Sequence, residues 1–161
     1  MKYTKFQIAL ETIGLLLLVG MIFFVYIQWN QIPQQVPMHY NAVGEIDRWG
    51  SKYEILFLPA ISILLYVFIT AVSFFPQIWN VPVQITDENK EVVYLSTKDL
   101  LIFVKVEMLT LFFYINYHTA TAQPLSVTFL PVFITIIFGT LIFFIVRTIR
   151  LGEGKKHKRG L

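Results

Sequence analysis

With 161 residues, of which 56% are hydrophobic, 16% aromatic and 14% charged, the chain falls outside the composition of a water-soluble enzyme and has room for one membrane domain. Four spans of about twenty apolar residues take up about half of it and leave no space for a large soluble domain. The net charge of +3 comes mostly from the stretch GEGKKHKRGL with Arg147 and Arg150, a local cluster that reads as an anchor against anionic lipid and not as a nucleic-acid site, and the absence of cysteine excludes disulfides and thiol catalysis.

In chain order, the first apolar run covers about 8–29. It is too long for a signal-peptide core and has no small-residue cleavage site near its end, so it predicts a retained span. Residues 30–54 form a loop far longer than neighbouring antiparallel helices require, which suggests a purpose. Pro33 and Pro37 favour extended backbone there, Asn41 and Gly44 suit a tight turn, and Trp49-Gly50 puts an aromatic ring near the interface. An ordered loop or short hairpin is expected, with Asn41 and Asp47 as side-chain caps of the turn around Gly44. A second span is expected at about 55–75, with Pro59 in its first turn and Pro76 beyond its end.

The next loop runs from Pro76 to Lys98. It holds an extended stretch, Val81 to Ile85, and then Thr86, Asp87 and Glu88, which look like a helix start with acids in the first turn. The third span, about 100–117, is then the membrane part of a helix from about Asp87 to Tyr117, about 45 Å long, that projects out of the bilayer with Val92, Val93 and Leu95 near the lipid surface. The fourth span, about 127–146, follows Gln123-Pro124 and runs into Arg147 and Arg150. The expected architecture is a single all-α integral membrane domain, 1–161, with four transmembrane helices.

Lysine and arginine counts set the expected orientation. Lys2, Lys5, Lys90, Lys98, Arg147, Arg150, Lys155, Lys156, Lys158 and Arg159 fall on one side, ten in all, against Arg48 and Lys52 on the other. Both termini are therefore expected in the cytosol, with the long first loop outside.

Within the spans Glu11, Lys105 and Glu107 are the informative residues, because an ionisable group at that depth costs a few kcal/mol unless paired or wetted. Glu11 and Lys105 lie at similar depth, so an ion pair between them is expected. Glu107 is two residues from Lys105, about 200° round the helix, and cannot share that partner. On the outer side His39, Glu45, Asp47 and His118 are weak candidates for a divalent metal if the loop folds over the third helix. Turn capping and pairing with Arg48 and Lys52 is the favoured alternative. Phe74, Phe75, Phe143 and Phe144 read as membrane fabric, while Gly14, Gly20 and Gly139 are places where helices can approach closely.

The pattern V-P-x-H-Y-N-x-x-G-x-x-D-x-W-G-S-K, from Val36 to Lys52, together with Asn80 to Thr86 and Glu88-Asn89, resembles a bacterial domain of unknown function. That domain stands at the front of SdpI-type toxin-immunity proteins and occurs in many small membrane proteins of Gram-positive bacteria. The likeness covers about 10–120 and implies a multi-pass protein of the bacterial cytoplasmic membrane. The positions that carry over are Pro37, His39, Asn41, Gly44, Asp47, Trp49, Gly50, Ser51 and Lys52, and the resemblance implies a catalytic role for none of them.

No H-E-x-x-H or G-x-S-x-G motif occurs, and neither an enzyme nor a cofactor is expected. The leading expectation is an accessory or immunity-type protein that acts by binding. It would recognise a secreted peptide toxin or a membrane partner through His39, Asn41, Gly44, Asp47, Trp49 and Lys52, with lipid as its constant neighbour. Two alternatives stand beside it: a proton-coupled small transporter using Glu11 or Glu107, and a structural subunit of a larger membrane complex.

Overall fold

The computed structural model describes residues 2–154. The tail residues Lys155, Lys156, Lys158 and Arg159, counted above toward the orientation, lie outside the described residues. Helix α1 covers Lys5–Gln28 and is started by Thr4, whose side chain accepts from the Gln7 backbone N–H while the Gln7 side chain accepts from the Thr4 N–H, both at 3.1 Å. Strands β1 (Gln35–Tyr40) and β2 (Ile46–Ser51) form an antiparallel hairpin in the first loop. A 3-10 turn, Lys52–Leu56, leads into helix α2, Phe57–Ser73, with Pro59 buried in its first turn. Helix α3 covers Lys90–Ala120 and helix α4 Phe129–Gly154. Among the described residues all four helices are long and apolar enough to cross a membrane.

Three boundaries differ from the expectation, each for a local reason. Helix α3 begins at Lys90 because Thr86 and Asn89 close a turn before it: the Asn89 side chain accepts from the Thr86 N–H at 2.8 Å and donates to the Gln84 carbonyl at 2.9 Å. Val81 to Ile85 forms no regular element and bends at Pro82 and Val83, and Val83 packs so closely on Gly152 of α4 that a Cβ added at Gly152 would lie 2.9 Å from a Val83 methyl. Helix α4 does not stop before Arg147 but continues through it, with Thr148 buried against Ser96 of α3 at 2.9 Å. Consequently Val93, expected near the lipid surface, is fully buried.

Helix α3 is the centre of the bundle: α1, α2 and α4 all pack on it, and α4 packs chiefly on it. It is also the least apolar of the four, and it carries the buried polar residues Ser96, Lys98, Lys105, Asn116 and Thr119. Both facts have one cause. Polar side chains in hydrocarbon are satisfied only by neighbouring protein, so the helix richest in them belongs inside. The outer helices turn Leu16, Phe68 and Phe143 outward. Of the four phenylalanines read as membrane fabric, Phe144 alone is buried, 5.2 Å from the ring of Phe103 on α3. Gly14 and Gly20 sit against Val106 and Phe113 of α3, whereas nothing lies near Gly139.

Candidate functional site

The hairpin is built to be rigid. Its register pairs Gln35 with Ser51, Pro37 with Trp49 and His39 with Arg48, with irregularities on either side of His39. Asn41 organises the turn, its side-chain oxygen accepting from Val43 N–H at 3.0 Å and Glu45 N–H at 2.9 Å and its amide donating to the Glu45 carboxylate at 2.9 Å. Gly44 has φ +86°, and a Cβ there would stand 2.5 Å from the Leu125 carbonyl oxygen. The same glycine accepts from the Leu125 N–H at 2.8 Å, so the turn is fastened to the loop between α3 and α4. Only a residue without a side chain permits both.

The base of the hairpin is equally committed. Gly50 lets Met38 and Glu54 approach its Cα, and Ser51 with Glu54 forms the capping box that starts the 3-10 turn. Lys52 is buried at 7% exposure; its ammonium donates to the carbonyl of Trp29 at the end of α1 and stands 4.6 Å over the Trp29 ring. A cation at a helix C-terminus is favourable, so Lys52 closes α1 and is not offered to a partner. Val36 packs with Val25, Ile32, Ile55 and Ala120 in a small core, and the Tyr40 hydroxyl meets Thr119 of α3 at 3.4 Å. Burial pushes the Tyr40 phenol above its ordinary pKa, and the bond to Thr119 offsets part of that.

The exposed part of the motif is therefore smaller than the sequence suggested. Trp49 is half exposed, and His39 and Asp47, both outward, share a 2.6 Å contact between Nδ1 and Oδ1. Asp47 thus holds His39 and does not cap the turn, which is Asn41's work. Of the four candidate metal ligands only His39 and Asp47 meet: Glu45 is turned to Asn41, and His118 lies on α3 with its ring 4.4 Å from Tyr114. Among the described residues no group of three or more His, Asp or Glu is placed to hold an ion. Arg48 reaches the Met38 carbonyl and not a carboxylate.

Inside the bundle Lys105 donates to both oxygens of Glu11, at 2.8 and 2.6 Å, and to Thr70 of α2 at 2.8 Å. The expected pair is joined by a hydroxyl that the sequence reading missed. Asp99 accepts from Gln7 of α1 at 2.7 Å and from Arg147 of α4 at 2.9 Å. Asn116 donates to the Ile55 carbonyl at 3.1 Å. Each outer helix is thus latched to α3 by a polar contact. Glu107 is different: one oxygen accepts from Thr140 of α4 at 2.5 Å, and the other is buried with no hydrogen-bond partner. Glu107 lines a cleft of about 400 Å³ between α3 and α4. A second cavity, about 360 Å³, shares Leu111, Ser126, Phe129 and Phe133 with it and extends to His39, Asn41 and Gly44 of the hairpin.

The family comparison falls on the hairpin half of the chain. Residues 16–63 match the model of a domain of unknown function, DUF1648, which takes in most of α1, the whole hairpin and the start of α2. The likeness fits a small membrane protein. An uncharacterised protein of Archaeoglobus fulgidus is 33% identical over 82 residues, covering 46% of this chain and 45% of its own length. The chain therefore spans under half the length of that relative. No solved structure matches it.

Proposed function

We propose that this protein is a non-catalytic binding protein of a bacterial cytoplasmic membrane, with both termini in the cytosol, whose outer hairpin recognises a secreted peptide toxin. The observation that carries this reading is β2. Among the described residues it pairs with β1 alone, and its outer edge is free while Asp47, Arg48 and Trp49 are exposed along it. A free strand edge with a fixed register accepts an extended peptide by main-chain hydrogen bonding, and side chains beside it set the choice of peptide. The Gly44–Leu125 and Lys52–Trp29 contacts support it by holding the edge in place before a ligand arrives, which lowers the ordering cost of binding. The choice of toxins as the peptides rests on the resemblance of Val36 to Lys52 to the domain that stands at the front of SdpI-type immunity proteins.

Survival of a sensitive strain under a panel of secreted peptide toxins tests the reading. The native protein should protect, and a His39/Asp47/Trp49 triple-alanine form, present in the membrane at equal level, should not. Equal protection by both forms removes the hairpin from recognition. Absence of protection from every toxin, with stoichiometric partners on purification, favours a subunit of a larger complex.

One observation favours a second reading, transport. Lys105 commits Glu11, so Glu107 with its open oxygen is the carboxylate left to couple to protons or substrate. Glu107→Gln should then abolish proton-coupled uptake in vesicles while the protein still inserts.

A further inference from the structure

We infer that the cleft between α3 and α4 is a binding site for a lipophilic organic cation, with Glu107 as its counter-ion. The two helices are held together along one half by Ser96 with Thr148, Asp99 with Arg147 and Phe103 with Phe144. Beyond Glu107 they enclose an open space of about 400 Å³ lined by Val106, Tyr114, Phe129, Phe133 and Ile136 among others. Such a lining takes an apolar body of drug-like size.

Charge complementarity selects the occupant. Among the described residues Glu107 is the one carboxyl on the cleft wall, no lysine or arginine lines the space, and no ion pair includes Glu107. One of its oxygens is engaged by Thr140 and the other is buried and unengaged. A carboxylate held this way in hydrocarbon costs a few kcal/mol until a positive charge stands beside it. A neutral acyl chain fills the volume but leaves that oxygen unpaired. A delocalised cation fills the volume, places positive charge beside the carboxyl group and lies against the aromatic faces of Tyr114, Phe129 and Phe133, which attract cations. Other titratable groups do not compete: Tyr114 stacks on Phe129 at 4.4 Å and His118 on Tyr114 at 4.4 Å, while Glu11 and Lys105 satisfy each other across α1 and α3.

The site does not depend on the peptide-binding reading and is a statement about occupancy, so it holds whether or not the protein transports anything. Equilibrium dialysis of tetraphenylphosphonium against the purified full chain in neutral detergent, with empty micelles subtracted, tests it. Tetraphenylborate, of the same shape and opposite charge, is the control. The phosphonium should bind at one site per chain, at least tenfold weaker in Glu107→Gln, and the borate should show no preference for the native protein. Ile136→Trp fills the cleft without touching the carboxyl and should also abolish binding, while Phe138→Ala, on the outward side of α4, should leave it unchanged. Equal phosphonium binding by native protein and Glu107→Gln, or equal binding of phosphonium and borate, would overturn the inference.

Discussion

The two intramembrane glutamates make an instructive pair. Glu11 and Glu107 are the same side chain, both on helices of one bundle and both packed against α3 or part of it, yet their surroundings are opposite. Both oxygens of Glu11 accept from the Lys105 ammonium, which also donates to Thr70, so α1, α2 and α3 meet at one closed polar knot. Glu107 receives a single hydroxyl and faces open space. A closed knot in hydrocarbon is architecture, because everything that could bind it is already bound. An open carboxyl at the wall of an apolar cleft retains unused interaction energy, which is what a ligand site requires.

The comparison can be broken at its structural end first. Lys105→Met leaves the Glu11 carboxylate unpaired and should destabilise the bundle by about 3–5 kcal/mol, read by thermal or denaturant unfolding in detergent. Changing Glu11 to Leu in the same chain should recover much of that loss, and failure to recover would mean that Thr70 and the packing, not the charge pair, hold the knot. Next in size is the hairpin anchor: Gly44→Val forces a branched side chain into positive φ and into the Leu125 carbonyl, costing about 1–3 kcal/mol and loosening the turn, visible as faster amide exchange at Leu125. Glu107→Gln should leave stability unchanged or raise it, since Thr140 can still donate to the amide oxygen, no charged partner is lost and the unpaired carboxylate is removed from hydrocarbon. A loss as large as that of Lys105→Met would place Glu107 with Glu11 as architecture. Smallest of all, Trp49→Ala should leave the unfolding free energy within about 0.5 kcal/mol of native while weakening peptide recognition, measured by the protection assay.

The hairpin repeats the lesson on a smaller scale. Its motif residues look alike as a string, but they divide by direction. Gly44, Gly50 and Lys52 are turned toward the rest of the protein, and together with the exposed Ser51 they serve the turn, the close approach and the ends of two helices. His39, Asp47 and Trp49 face outward. No spacing in the sequence marks that division, since a bulged strand pair does not keep a strict alternation through His39.

What the sequence determined by itself was everything that depends on length and polarity. Apolar runs longer than a bilayer is thick can be satisfied as helices, so four spans were legible, as were a helix α3 longer than its span and an ordered first loop with its turn at Asn41 to Gly44. The matching depths of Glu11 and Lys105 were legible too, because rise per residue is fixed. Rotation about each helix axis and the choice of neighbour were not. Those depend on which faces pack, and they decided that α3 is central, that Arg147 reaches back to Asp99, that Lys52 is spent on α1, and that Glu107 meets a hydroxyl at the wall of an apolar cleft and not a cationic side chain. Depth is a property of one helix and can be counted along the chain; partnership belongs to two helices and exists only once they have docked.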